Sequence, residues 1–148
     1  MEKRLRILLG PTTFGNVSAQ RSKVMASVKA KGNKATEERL RMALVRLGTS
    51  GWFMHSDQIG KPDFYFRRQR LAIFVDGCFW HGCPKCGHTP RTNSRYWHEK
   101  IEGNRRRDRR TNQMLRHKGI RVLRFWEHEL SKRLGLCTQK VLSELQRV

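Results

Sequence analysis

Residues 62–86 read PDFYFRRQRLAIFVDGCFWHGCPKC. An aromatic-rich run over 63–66 and an almost wholly apolar run over 71–76 flank a basic turn near residues 67–70. Two short apolar runs around a polar turn predict a β-hairpin, and the second run is apolar enough to be a central strand. A hairpin centred near Gln69 sets Asp63 opposite residue 75 or 76. One carboxylate or two (Asp63, Asp76) and the Val75 carbonyl then converge at one end of the sheet. That donor set suits a hard cation such as Mg²⁺, which takes oxygen ligands and keeps several waters. Beside a basic surface it points to phosphodiester hydrolysis, where the ion polarises the phosphate and activates a water. The plainer reading is that Asp63 follows a GKP turn and Asp76 ends a strand before Gly77, both common places for Asp.

Working outward, Leu40, Ala43, Leu44 and Leu47 recur at helical spacing, with Glu37 and Glu38 in the first turn and Gly48 as a stop. A short strand is expected over 52–55. Residues 94–118 read as a long basic helix ending before Gly119. A strand over 120–126 follows, then a helix in two pieces from 127 to about 145. This order predicts an α/β fold, a mixed β-sheet flanked by helices. Residues 21–148 are expected to form a single domain without repeats or linker. Residues 1–20 show no sustained period and are expected to be a flexible basic arm whose Lys3, Arg4 and Arg6 could touch phosphates.

The 148-residue chain has 32 Lys and Arg against 12 Asp and Glu, a formal net charge of +20. Such a field implies a polyanion: nucleic acid first, an anionic membrane surface second. No apolar run approaches the ~20 residues of a membrane span. The apolar run near the start, residues 7–9, is short of the ~7–15 residues of a signal peptide. A cytoplasmic, nucleoid-associated protein is expected, whose four cysteines stay reduced or bind metal.

Cys83 and Cys86 form a C-x-x-C knuckle, a spacing used by structural zinc sites. Cys78 lies five residues earlier. The fourth ligand is open between His88, His128 and Cys137. Inert buried thiols would explain fewer cysteines than these, and a redox C-x-x-C would normally open a helix after a strand. Phe79 and Trp80 sit inside the same loop. Rings presented by a basic protein can wedge into a DNA stack, or they can simply fill core beneath the loop, with one in and one out as the natural expectation. On the long helix Trp97, Ile101, Asn104, Asp108, Thr111 and Leu115 share one stripe. Polar Asn104 and Asp108 on it imply buried hydrogen bonds or a site partner. Arg105, Arg106 and Arg107, with Arg109 and Arg110, form a solvated face or a phosphate-contacting one.

Together the segments RSKVMASVK, ATEERLRMALVRLG, GKPDFYF, LAIFVDGCFWHGCPKC, RTNSRYWHEKIEGNRRRD and GIRVLRFWEHEL resemble the very short patch repair (Vsr) endonucleases, which nick DNA beside T:G mismatches. The resemblance spans roughly residues 21–130. It implies a restriction-endonuclease-like fold of the PD-(D/E)XK type. It implies that Asp63 and the Val75 carbonyl hold a catalytic Mg²⁺, that His81 acts at the attacking water, and that Glu37 supports the site. It also implies that Phe79, Trp80 and Trp97 wedge into DNA, and that Cys78, Cys83, Cys86 and His128 bind a structural Zn²⁺. Some relatives carry Thr-His where this chain has Val75-Asp76, so Asp76 is open between a second oxygen ligand and a water-positioning group.

The resulting expectation is a Mg²⁺-dependent endonuclease that nicks duplex DNA 5′ of the mispaired T. A monomer suits that asymmetric substrate. A cytosine-5 DNA methyltransferase would be its functional partner, a link that the resemblance alone implies. Two rivals use the same residues. One is a relaxed-specificity nuclease of restriction or defence type. The other is a zinc-bearing nucleic-acid-binding module without catalysis, in which Asp63→Ala would change nothing.

Overall fold

The computed structural model describes residues 34–147. The expectations for the arm 1–20 and for residues 21–33 lie outside them. A first helix, α1, runs through residues 34–46. Then come β1 (Trp52–Met54), β2 (Phe64–Phe66), β3 (Leu71–Asp76), α2 (Ser94–His117), β4 (Arg121–Trp126), α3 (Glu127–Lys132) and α4 (Leu134–Gln146). The four strands form one mixed sheet in the order β1-β2-β3-β4. β1, β2 and β3 are antiparallel neighbours, and β4 runs parallel to β3. A parallel pair needs a crossover, and α2 supplies it.

β3 is buried at every position because both faces of the sheet are covered. Alternation divides its side chains. Leu71, Ile73 and Val75 pack with Phe64, Phe66 and Phe125 against Leu40 and Leu44 of α1, Leu130 of α3, and Cys137 and Val141 of α4. Ala72 and Phe74 pack on the other face with Tyr65, Ile120 and Leu115 of α2. Asp76 has the parity of Ala72 and Phe74, so it leaves β3 on the α2 face.

Two details differ from the sequence expectation. The hairpin pairs Phe64 with Ile73, so Asp63 lies one step beyond, level with Phe74 rather than 75 or 76. The turn is thus centred between Arg68 and Gln69, half a residue earlier than Gln69. Leu47 is half-exposed because the helix ends at 46, before that residue can reach the core.

Candidate active site and metal centre

The register brings the start of β2 and the end of β3 together. The Val75 N–H donates to Asp63 Oδ2 at 2.6 Å. An extended residue projects its N–H and C=O from the same side, so the Val75 carbonyl faces the same strand edge as Asp63. β1 adds a third group, since the His55 N–H donates to the Asp63 carbonyl at 3.2 Å. Donor atoms of Glu37, His55 and Asp63 lie within 4.8 Å of one another, and His55 Nε2 is 3.5 Å from Glu37 Oε2. Burial, the charge of Asp63 and a hydrogen bond with it push the Glu37 carboxyl up to about 7. Asp63 is also raised, chiefly by burial, although the Val75 amide, Glu37 and His55 oppose the shift. Two half-buried acids in contact without a cation resist double ionisation. A divalent ion accepting oxygen donors would relieve that resistance, so the residues fit one.

On the α2 side, His81 Nδ1 meets Asp108 Oδ2 at 2.5 Å. A carboxylate only accepts, so Nδ1 carries the proton and Nε2 is left as the basic nitrogen. Burial opposes the Asp108 charge, but the His81 hydrogen bond and the nearby charges of His81, Arg124 and Arg107 outweigh it and hold its pKa low. Asp76 is buried and accepts from Arg124 Nη1 on both oxygens, at 2.8 and 3.0 Å. Burial raises its pKa against the pull of Arg124 and His81. Asp63, Asp76, His81, Asp108, Arg107 and Arg124 all line one open cavity of about 280 Å³. Asp63 and Asp76 therefore face the same space, but Asp76 groups with His81 and Asp108 rather than with Asp63 and Glu37.

The loop after β3 holds a second centre. His128 Nδ1 lies 3.3, 3.6 and 3.4 Å from the sulfurs of Cys78, Cys83 and Cys86. Cys83 and Cys86 sulfurs are 3.6 Å apart. Four tetrahedral ligands with metal–sulfur bonds of about 2.3 Å and metal–nitrogen bonds of about 2.1 Å sit about 3.8 Å (S···S) and about 3.6 Å (S···N) apart. The spacing fits a four-coordinate ion. Burial and the neighbouring thiols push the Cys78 thiol up to about 12, the expected strain of crowded sulfurs without a cation. The two alternate ligands lie elsewhere. Cys137 is in the core under α4, and His88 packs against the Phe79 ring. Residues 77–92 form turns with no helix, unlike a redox C-x-x-C that opens a helix.

The wedge candidates form one aromatic cluster. Phe79, Trp80 and Trp97 meet edge-on with ring centres 5.2, 5.5 and 5.9 Å apart. Trp97 is buried, whereas Phe79 and Trp80 are both half-buried. Neither ring is simply in or out. Asn104 of α2 donates to the Trp80 carbonyl at 2.8 Å, pinning the loop to the helix. Arg105, Arg106 and Arg107 are exposed. Arg105 pairs with Glu102 at 2.9 Å, Arg107 bonds Asn104 and reaches the cavity.

The family model for the DNA mismatch endonuclease Vsr matches residues 16–87. The type II nicking enzyme V.NaeI of Lentzea aerocolonigenes is 43% identical over 118 residues, 76% of this chain and 70% of that one. This chain belongs to the Vsr family. Two other relatives extend the match. The type II nicking enzyme V.NmeDIP of Neisseria meningitidis serogroup C is 40% identical over 124 residues, 82% of this chain and 83% of that one. The DNA mismatch endonuclease Vsr of Escherichia coli (strain K12) is 35% identical over 130 residues, 86% and 82% of the two chains.

The Vsr family match ends at residue 87, so Trp97, Asp108, Arg124 and His128 lie beyond it. Sequence reasoning missed His55 and Arg124, and flagged Asp108 without its partner. Each left a signal. His55 is level with Asp63 once β1 pairs with β2. Arg124 is a charged residue in the middle of β4, at the same parity as Val122, in a strand whose other charge, Arg121, stands at its start.

Proposed function

We propose that this endonuclease nicks duplex DNA on the 5′ side of the mispaired T of a T:G mismatch, leaving 3′-hydroxyl and 5′-phosphate ends. The observation that carries the reading is the meeting of Asp63 and the hydrogen-bonded His81–Asp108 pair across one cavity. Asp63 and the Val75 carbonyl would hold Mg²⁺, with Glu37 and His55 behind them. When bound, the ion supplies Lewis-acid stabilisation of the phosphate. His81 Nε2 takes the proton of the attacking water, and Asp108 holds the ring and offsets its charge, a division of labour familiar from acid–base dyads. The water oxygen bonds to phosphorus as the P–O3′ bond breaks, and the departing 3′-oxygen gains a proton from solvent.

Zinc at Cys78, Cys83, Cys86 and His128 would stiffen the loop that presents Phe79 and Trp80. These rings, backed by Trp97, open a step that a mismatch has already weakened. Arg105, Arg106 and Arg107 would neutralise phosphates beside it. The restriction-endonuclease-like fold, one domain over residues 21–148, a monomeric state, a cytoplasmic place near the nucleoid and a link to a cytosine-5 DNA methyltransferase belong to the same proposal. No helix of the described residues is long and apolar enough to cross a membrane.

A second reading, nicking without mismatch preference, draws support from relatives named only as type II nicking enzymes. End-labelled duplexes with and without a T:G mismatch, incubated with Mg²⁺ and either wild type or Asp63→Ala, separate the two. A cut beside the T, confined to the mismatched duplex and lost in the variant, is expected. Equal cutting of both duplexes would favour the second reading. Tight salt-sensitive binding with no cutting would leave only the non-catalytic module.

A further inference from the structure

Two guanidiniums, of Arg107 and Arg124, border the cavity, and that of Arg124 is bonded to its acids. Arg124 lies mid-strand in β4, level with Phe74 of β3, and its side chain is only 19% exposed. Its Nε donates to Asn112 Oδ1 at 2.8 Å. Its Nη1 donates to both Asp76 oxygens and lies 3.6 Å from Asp108 Oδ1. The guanidinium carbon sits 4.2 Å from the Phe74 ring centre, a stacking that favours Arg over Lys. Among the described residues, Nη2 donates to none.

A buried cation held only for structure gains most when every donor is satisfied. Here Nε and Nη1 are clamped by Asn112 and Asp76, while the residue also borders the cavity that holds Asp63 and His81. A guanidinium cannot lose its proton, and its N–H groups make charge-assisted hydrogen bonds to phosphate oxygens. Phosphoryl transfer places negative charge on the non-bridging oxygens, where a pre-set cation is most useful.

We propose that Arg124 is a further catalytic residue, whose Nη2 binds a non-bridging oxygen of the scissile phosphate, and that Asp76 is its positioning residue. Both Asp76 oxygens serve the arginine, so Asp76 acts as counter-ion and not as a metal ligand. Arg124 transfers no atom and no proton. The inference rests on the cavity being the nicking site, and it holds for mismatched and paired DNA alike.

The test is single-turnover cleavage by wild type, Arg124→Ala, Arg124→Lys and Asp76→Asn on whichever duplex the wild type nicks, with Kd and Tm measured in parallel. If paired and mismatched duplexes are cut equally, the mismatch reading fails while this test proceeds. Arg124→Ala is expected to cleave about 10²–10³-fold more slowly, with Kd changed by less than about threefold, and Arg124→Lys and Asp76→Asn to fall between it and wild type. Low, non-denaturing guanidinium should accelerate Arg124→Ala and leave the residual rate of His81→Ala unchanged, a response that a structural tie would not give. A wild-type rate in Arg124→Ala overturns the proposal. So does a loss confined to Kd, or a slow but folded Arg124→Ala that guanidinium fails to accelerate. Should Arg124→Ala not fold, Arg124→Lys decides: a slowed rate at unchanged Kd supports the assignment, and an unchanged rate overturns it.

Discussion

Glu37 is held near pH 7 by burial and by Asp63, and this displacement has a measurable sign. A carboxyl whose folded pKa lies above its unfolded value favours folding below the unfolded pKa, near 4.5. That contribution is lost as pH rises through about 7. Glu37→Gln cannot ionise. Without added divalent cation its stability should match wild type near pH 5 and exceed it at pH 8 by an amount on the order of 1–3 kcal/mol, read as a higher Tm. Equal Tm values at pH 8 would show that Glu37 is not so held. At the neighbouring dyad, Asp108→Asn keeps the shape but frees the His81 tautomer. Its nicking rate should fall about 10²–10⁴-fold with little change in DNA affinity, and an unchanged rate would remove Asp108 from the mechanism. Legibility at this scale followed rarity and contiguity. Asp63 and the cysteine set stood out because acids are scarce here and the loop residues are adjacent, whereas His81 was reached only through the family resemblance. His55 and Arg124 did not stand out, because their relation to the site exists only after strands from distant parts of the chain pair.

Elements divide the work differently. The loop over 77–88 has little apolar material of its own, and it is fixed from two sides. One side is the Cys78–Cys83–Cys86–His128 cluster, which ties it to the start of α3. The other is α2, through Asn104 and through Gly82. Gly82 has φ +65°, and a Cβ there would lie 2.8 Å from Ile101 Cγ2 and 3.2 Å from Arg105 Cδ. Gly82→Ala should therefore lower Tm, with strain and crowding costing about 1–3 kcal/mol; an unchanged Tm would mean that the loop does not rest on α2. Chelation acts on the other tether. It should lower Tm and make Cys78, Cys83 and Cys86 reactive to a thiol reagent in the folded protein, while Cys137, 3% exposed in the core, stays protected. An inert cluster under chelation, with no metal found by elemental analysis, would sink the tetrahedral reading. The α2 stripe was legible in full: Trp97, Ile101 and Leu115 are buried and Asn104, Asp108 and Thr111 line the cavity. Helical spacing is local and survives folding intact. The hairpin register was missed by half a residue at its centre, because turn geometry, not the apolar pattern, sets it.

For the molecule as a whole, the proposed function gives the net charge of +20 and the aromatic cluster separate jobs. Charge draws any duplex, because each neutralised phosphate releases counterions without reading sequence. The sheet places Asp63 at the end of β3, and the long α2 carries Trp97 at one end and Asp108 near its middle. One rigid element thus sets the distance from the half-buried Phe79–Trp80 edge to the cavity proposed to cut. If that division is right, affinity and discrimination should respond to different variables. Binding of matched and T:G duplexes should weaken with salt along parallel lines, at a slope of about −5 to −9 for ~6–10 phosphate contacts. The mismatched duplex should bind tighter by an offset that salt leaves unchanged. Phe79→Ala with Trp80→Ala should erase the offset and keep the slope, since no charge is lost. Arg106→Ala should do the reverse, reducing the slope by about 1 on both duplexes. A mismatch preference that fades with salt, or survives loss of both rings, would assign discrimination to the basic surface and leave the rings as packing for the metal loop.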